Sequence, residues 1–264
     1  MKHFYLPFRC DKEKEVSVEG ADCHYLTHVL RFKQGASFKG LDVTGRRYCL
    51  TIKRIEKDSV LLGIKEEEHL EAEAPLIFLF QAIPKGKVMD RIVRQATEAG
   101  IHKIIPVITR YTVVDLKSPK SKNNKVQRWR RIATQAVQQS GGPLLPYIGE
   151  PVTITEAIEF YRGDSKELSK EIPQGNSQGI KLFFHQDRKE NKALHECLLS
   201  NINKIDIFIG PEGGFSDSEY NLLKKKGFIP INLGKNVLRV DTAALYAIAA
   251  VKVILLEKKY WRKV

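Results

Sequence analysis

Apolar and polar positions alternate in short stretches at the start of the chain and run in longer blocks after about residue 75. Ser37–Leu41, Tyr48–Ile55 and Ser59–Ile64 mix β-branched and aromatic residues with polar ones in partial alternation, the mark of half-buried strands. Breaks such as Thr44-Gly45 and Lys57-Asp58 separate them, and Asp22–Arg31 predicts one short helix with Asp22 as its N-cap. Strands this short and close suggest a small barrel. Glu66–Pro75 is a charge run ended by proline and reads as a linker, which sets a first domain at 1–72 and a second at 73–264.

In the second domain the period changes. Leu76–Ala82 is an apolar run broken only by Gln81, as in a strand buried on both faces. Val88, Ile92, Ala96 and Ala99 recur at helical spacing, and Gly100 ends that helix. Lys103–Ile108, Lys181–His185, Ile205–Ile209 and Phe228–Leu233 predict further strands. Lys125–Ser140, Ser216–Lys226 and Asp241–Glu257 predict helices, the middle one opened by a Ser216/Glu219 capping box and closed by Gly227. Tyr161–Gly179 reads as a loose polar loop. Strands alternating with helices define an α/β domain with a mostly parallel sheet.

Composition narrows the class. The chain has 264 residues, 42% of them hydrophobic, which excludes general disorder. No run approaches the roughly 20 apolar residues of a membrane span. Met1–Tyr5 opens without an apolar h-region, so secretion by a signal peptide is not expected. Cys10, Cys23, Cys49 and Cys197 form no C-x-x-C pair and are expected as reduced thiols in a cytoplasmic protein. Lys and Arg outnumber Asp and Glu by 44 to 31, a net charge of +13. Seven of those cations fall between Lys117 and Arg131 with no acid among them. Such a run neutralises phosphates, or else forms a solvated helix face.

The strongest local signal is Ile209-Gly210-Pro211-Glu212-Gly213-Gly214-Phe215-Ser216, a Gly-rich turn between a strand and a capped helix. Ligands bind at such turns in α/β sheets, although the same residues also suit a plain tight turn. Neither G-x-G-x-x-G nor G-x-x-x-x-G-K-[ST] occurs, so a nucleotide polyphosphate is not indicated. A second loop, Leu233–Thr242, is long and mixes Arg239 with apolar residues, which suits an adenine-sized pocket. Glu98 is either a surface carboxylate or a site residue. His24 and His28 lack a third ligand, so no metal is expected. Ser140-Gly141-Gly142 is not a hydrolase elbow.

Four segments in order carry a family resemblance: His24–Arg31; Gln81–Gly100 with Lys85-Gly86 and Glu98-Ala99-Gly100; Gly210–Gly214; and Leu233-Gly234 with Val237-Leu238-Arg239 and Thr242–Leu245. Over nearly its whole length the chain resembles the bacterial family that methylates N3 of a uridine in 16S ribosomal RNA. That family is part of the SPOUT class of knotted, S-adenosylmethionine-dependent methyltransferases. The resemblance implies a PUA-like β-barrel, a C-terminal domain with a deep trefoil knot, and a homodimer acting on 16S rRNA within the small ribosomal subunit. It places the cofactor on His185 and Gln186, on Ile209, Gly210, Pro211, Glu212, Gly213 and Gly214, and on Leu233, Gly234, Val237, Leu238, Arg239 and Thr242. Charged and polar positions depart from the family pattern at Gln95, Thr109-Arg110-Tyr111, Gln138–Gly142, Lys235-Asn236 and Val240-Asp241.

For such a reaction Arg239 is expected to stabilise charge on the uracil oxygens. Asp241 would act as base or positioner, with Glu98 as the second candidate; Asp241 also suits the N-cap of the last helix. Arg31, Lys33, Arg46, Arg47, Lys85, Lys120, Lys122, Arg128 and Arg131 are expected to grip RNA phosphates. Two other readings stand beside this one: the same enzyme acting on another RNA position, and a non-catalytic RNA-binding or ribosome-assembly protein.

Overall fold

The computed structural model describes residues 3–10, 14–43, 46–66, 75–113, 118–142, 144–163, 178–186 and 192–261. The Thr44-Gly45 break, most of the expected linker, Lys117 and most of the expected 161–179 loop lie outside them. The chain divides into two units, Met1–Ala72 with Thr134–Leu145, and Glu73–Ala133 with Pro146–Val264. Residues 134–145, assigned from sequence to the second domain, belong with the first unit. There the Gln138 carbonyl accepts from the His3 amide at 3.1 Å, and the Gly141 carbonyl accepts from Arg47 Nη2 at 3.4 Å.

The first unit is built on a five-stranded sheet, ordered β1-β3-β4-β5-β2. Its strands are β1 (Phe4–Tyr5), β2 (Glu15–Glu19), β3 (Ser37–Leu41), β4 (Arg47–Ile55) and β5 (Ser59–Glu66). Alternation along β4 sends Tyr48, Leu50 and Ile52 into a core with Phe4, Leu26, Phe38, Val60 and Leu62. Buried Asp42 accepts from the amides of Cys10 and Arg46 and from the Tyr48 hydroxyl. Desolvation and that carboxylate push the Tyr48 hydroxyl well above its ordinary pKa. The helix expected from Asp22 starts earlier. α1 spans Gly20–His24 and continues as a π-helical turn, Tyr25–Val29, in which the Leu30 amide reaches the Tyr25 carbonyl at 2.9 Å. Asp22 therefore lies in the first turn rather than at the cap. Just beyond, Arg31 takes a left-handed conformation, φ 54°, which costs an L-residue about 1–2 kcal/mol.

The second unit is organised by a seven-stranded sheet in which every pairing is parallel. Six strands run in the order β12-β10-β11-β6-β7-β8, and β9 also pairs with β7. They are β6 (Leu76–Ala82), β7 (Lys103–Ile108), β8 (Tyr147–Ile148), β9 (Val152–Thr153), β10 (Gln178–Phe184), β11 (Ile202–Ile209) and β12 (Ile229–Ile231). All seven residues of β6 are buried, as a sheet covered on both faces requires.

The helices of this unit are α2 (Val88–Glu98), α3 (Pro119–Ser140), α4 (Ile154–Gly163), α5 (Leu194–Cys197), α6 (Asp217–Lys225) and α7 (Val240–Trp261), with α3 ending in the first unit. α2 buries Met89, Ile92, Val93 and Ala96 along one stripe. It ends where Gly100, φ 73°, lets the Ile101 amide reach back to the Ala96 carbonyl. The expected capping box on α6 is present in both directions. α3 starts six residues before its predicted Lys125, and α4 and β10 occupy both ends of the expected 161–179 loop. The four cysteines are free thiols.

Candidate active site

Parallel strands end together, so their carboxyl-terminal loops gather on one edge of the sheet. In the second unit those loops enclose a cavity of about 490 Å³, within the range of small-molecule and cofactor sites. Its walls come from the end of β10 (Phe184, His185, Gln186), the β11–α6 loop (Ile209–Glu212 and Gly214) and the β12–α7 loop (Asn232–Gly234 and Asn236–Arg239). The starts of α2 and α7 complete it with Val88, Arg91, Val240, Asp241 and Ala243.

Local chemistry fixes each wall. Gly210 stands where a Cβ would come 3.3 Å from the Gly214 backbone, and Gly214 has φ 68°, so a side chain would crowd the turn at the first position and strain it at the second. The Glu212 carboxylate accepts from the Lys85 amide at 2.9 Å, holding the β6–α2 connection beside the loop. Glu219, 7% exposed, accepts from the Ser216 amide and hydroxyl and, at 2.7 Å, from the Arg110 amide. In the third wall the Asn232 amide nitrogen donates to the His185 and Gln186 carbonyls, while its oxygen accepts from the Gly234 amide. One side chain thereby joins two walls.

Charge enters on both sides. Exposed Arg239 supplies the carbonyl that accepts the Ala243 amide, so it stands at the N-cap position of α7. Asp241 is therefore in the first turn and not the cap, where a carboxylate still gains from the helix dipole. Its Oδ2 lies 3.3 Å from Arg91 Nε, and its side chain is 15% exposed against 59% for Arg91.

The structure thus gathers twelve of the fourteen residues expected at the cofactor, along with Asp241. Gly213 and Thr242 do not line the cavity. Gly213 faces Tyr111, whose Cβ would be 3.1 Å from a Cβ placed there, and Thr242 falls on the exposed stripe of α7 with Leu245, Tyr246 and Ala249. Glu98 is also separated: it is exposed at the far end of α2, roughly 15 Å along the helix from Val88. Sequence reasoning missed Arg91 and Asn232, because both act through partners distant in the chain.

The residues expected to grip phosphates divide by availability. Arg31, Lys33, Lys85, Lys120 and Arg131 are exposed, and Lys122 is half-buried. Arg46 pairs with Glu66 at 3.3 Å, Arg47 donates to the Gly141 carbonyl, and Arg128 makes a bidentate pair with Asp90 at 3.2 and 2.5 Å. Those three are held by protein partners. Among the described residues no group of three or more His, Cys, Asp or Glu is placed to hold a metal, and no helix is long and apolar enough to cross a membrane.

An all-parallel sheet with three loops closing a cavity at its carboxyl edge defines a ligand-binding α/β protein. Comparison with known proteins carries this further. Residues 72–252 match the family model described as the RNA methyltransferase domain. A Synechocystis protein named ribosomal RNA small subunit methyltransferase E is 31% identical over 244 residues, 92% of this chain and 74% of that one. A Buchnera aphidicola protein of the same name is 30% identical over 230 residues, 87% of this chain and 84% of its own. The crystal structure of the Neisseria gonorrhoeae protein of that name, bound to S-adenosyl methionine, superposes with a TM-score of 0.78 at 26% identity, covering 96% of this chain and 98% of that one. The chain belongs to the RNA methyltransferase family, and it is an enzyme of that class.

Proposed function

We propose that the protein methylates N3 of a uridine in 16S ribosomal RNA, with S-adenosylmethionine as methyl donor and the small ribosomal subunit as its setting. The observation that carries this reading is the three-walled cavity, built from the same loops to which the resemblance assigns the cofactor. The residues fit that group chemically. Ile209, Leu233 and Leu238 supply apolar surface for a purine ring, the glycines leave backbone groups open, and Glu212 places a carboxyl group beside a ligand with cationic groups. When bound, the cofactor supplies an electrophilic methyl on a sulfonium.

The chain's own residues account for the rest. Uracil N3 carries a proton, so a base or an ion-stabilising group must assist its loss. Asp241 is a side-chain carboxyl at the cavity wall, and its ion pair with Arg91 orients it. Arg239 lines the cavity from the N-cap position of α7 and stabilises the charge that spreads to O2 and O4. Exposed Lys120 and Arg131 on α3, and Arg31 and Lys33 in the first unit, hold RNA phosphates.

The same reading extends to the fold. The five-stranded sheet of the first unit supports a PUA-like barrel. β12 lies at one edge of its sheet, yet α7 packs against α2 and β11, and Lys252 donates to the Ala99 carbonyl at 2.6 Å. That return path supports a SPOUT-type trefoil knot. The apolar stripe of Leu245, Tyr246, Val253 and Leu256 on the exposed face of α7 supports a homodimer. A cytoplasmic setting accords with the free thiols.

Calorimetric titration with S-adenosylmethionine tests the site. One saturable event is expected, abolished by Gly214→Val, because a β-branched residue resists φ 68°. Undiminished binding in that variant would remove the cavity from the reading. Asp241→Ala should lower turnover while leaving cofactor affinity within about twofold; parallel loss of cofactor binding would make Asp241 structural.

A further inference from the structure

We propose, resting on the RNA-methylation reading, that Tyr111 is the stacking platform for the extruded target base, with Arg110 and Lys85 beside it for the flanking phosphates. β7 ends at Ile108, and the chain turns sharply over Thr109–Thr112. The turn is closed on itself: the Thr109 amide donates to Thr112 Oγ1 at 3.0 Å, the two hydroxyls are 3.0 Å apart, and the Thr112 amide donates to the Thr109 carbonyl at 3.1 Å. It is also tied down from outside, because the Arg110 amide donates to buried Glu219, the residue that closes the α6 capping box. A backbone held this firmly nonetheless presents an aromatic side chain that is 45% exposed.

Where Tyr111 sits gives the exposure meaning. Its Cβ and Cγ would be 3.1 Å, and its Cδ2 3.3 Å, from a Cβ placed on Gly213. The side chain therefore lies directly on the β11–α6 loop, and Glu212 and Gly214 on either side of that contact both line the cavity. Gly213 has no role in the cavity wall, and the lack of a side chain there is what seats the tyrosine. Exposed Arg110 precedes Tyr111 in the same turn, and the backbone amide of exposed Lys85 donates a hydrogen bond to Glu212 of that loop.

An exposed aromatic ring on a turn that also carries an exposed cation suits an unstacked nucleobase and its phosphates. A uridine in structured RNA must leave its stack to reach a buried methyl donor. Tyr111 offers that base a flat apolar surface on the loop that forms one wall of the cavity, pre-positioned so that little conformational freedom is lost on binding.

The test compares wild type with Tyr111→Ala, Tyr111→Phe and Tyr111→Leu. Three readouts are needed: calorimetric affinity for S-adenosylmethionine, fluorescence anisotropy with a labelled ten-nucleotide oligouridylate, and KM and kcat for methyl transfer to small subunits lacking the modification. Stacking predicts that Tyr111→Ala weakens oligouridylate binding and raises KM roughly tenfold or more, with cofactor affinity unchanged. Phe should restore both and Leu should not. The proposal is overturned if Ala matches wild type, if Leu rescues as well as Phe, or if cofactor affinity falls in step with RNA affinity. A wild-type protein that binds oligouridylate through Tyr111 but transfers no methyl would retain the platform and defeat the methylation reading instead.

Discussion

The two ends of the seven-stranded sheet use charge in opposite ways. At the amino end one row crosses the sheet through Lys181, Asp206, Phe78 and Lys103, which neighbour one another by strand register. Asp206 is 3% exposed and lies 3.2 Å from Lys204 Nζ, and the Lys204 and Lys103 ammoniums sit 4.7 and 5.2 Å from the Phe78 ring centre. Burial raises the Asp206 pKa and lowers that of Lys204. Nearby His102 is pushed down to about 4 by desolvation and by Lys252, and its Nδ1 accepts the Ile77 amide. At the carboxyl end Arg239 and Arg91 face solvent around an open cavity. Strongly shifted protonation often marks a functional site. Here the groups at the amino end serve the fold, and the site lies where loops leave backbone and charge accessible.

That contrast is broken most directly at Arg239. Arg239→Ala should cut turnover by about 10²–10³-fold with no change in the thermal midpoint, since the residue acts on developing charge. A lowered midpoint would make it structural. At the other end, Lys204→Met strips Asp206 of its ion-pair partner and should cost about 3 kcal/mol in urea denaturation. Cofactor affinity should stay unchanged.

His102 gives a pH signature to the same end. The fold favours its neutral form, so between about pH 6.5 and 4 the unfolded chain binds more protons than the native one. Its contribution, about 3 kcal/mol, is complete above pH 6.5 and is lost as pH falls toward 4. Denaturation curves across that window should show the loss, and His102→Asn, which keeps an acceptor for Ile77, should flatten it. The smallest effect belongs to the loop that links sheet and site. Ser216→Ala removes one half of the capping box and should cost about 1 kcal/mol, measured as a shift in the urea midpoint.

Legibility in the sequence followed the same division. β6 was readable because seven buried positions in a row leave no other strand environment, and the α6 cap because Ser216 and Glu219 are three residues apart. α1 was misread because Asp22 has good cap chemistry but stands inside the first turn. The start of α3 carries a local signal in the sequence. Ser118 Oγ accepts from the Ser121 amide ahead of Pro119, the N-cap and first-position proline pair, but the polar turn that follows carries no apolar period. β8 and β9, two residues each, are too short to show any period. In the site, glycine turns announced two walls, whereas Arg91 and Asn232 depend on partners 150 and 47 residues away and leave no local mark.

Methyl transfer itself is the decisive measurement. The purified protein is incubated with labelled S-adenosylmethionine and small ribosomal subunits lacking the modification, and the nucleosides are identified by mass spectrometry. The account predicts 3-methyluridine, lost in Arg239→Ala. Label on a different nucleoside would contradict the assigned target, and absence of transfer by a protein that still binds the cofactor would contradict the proposed rRNA reaction.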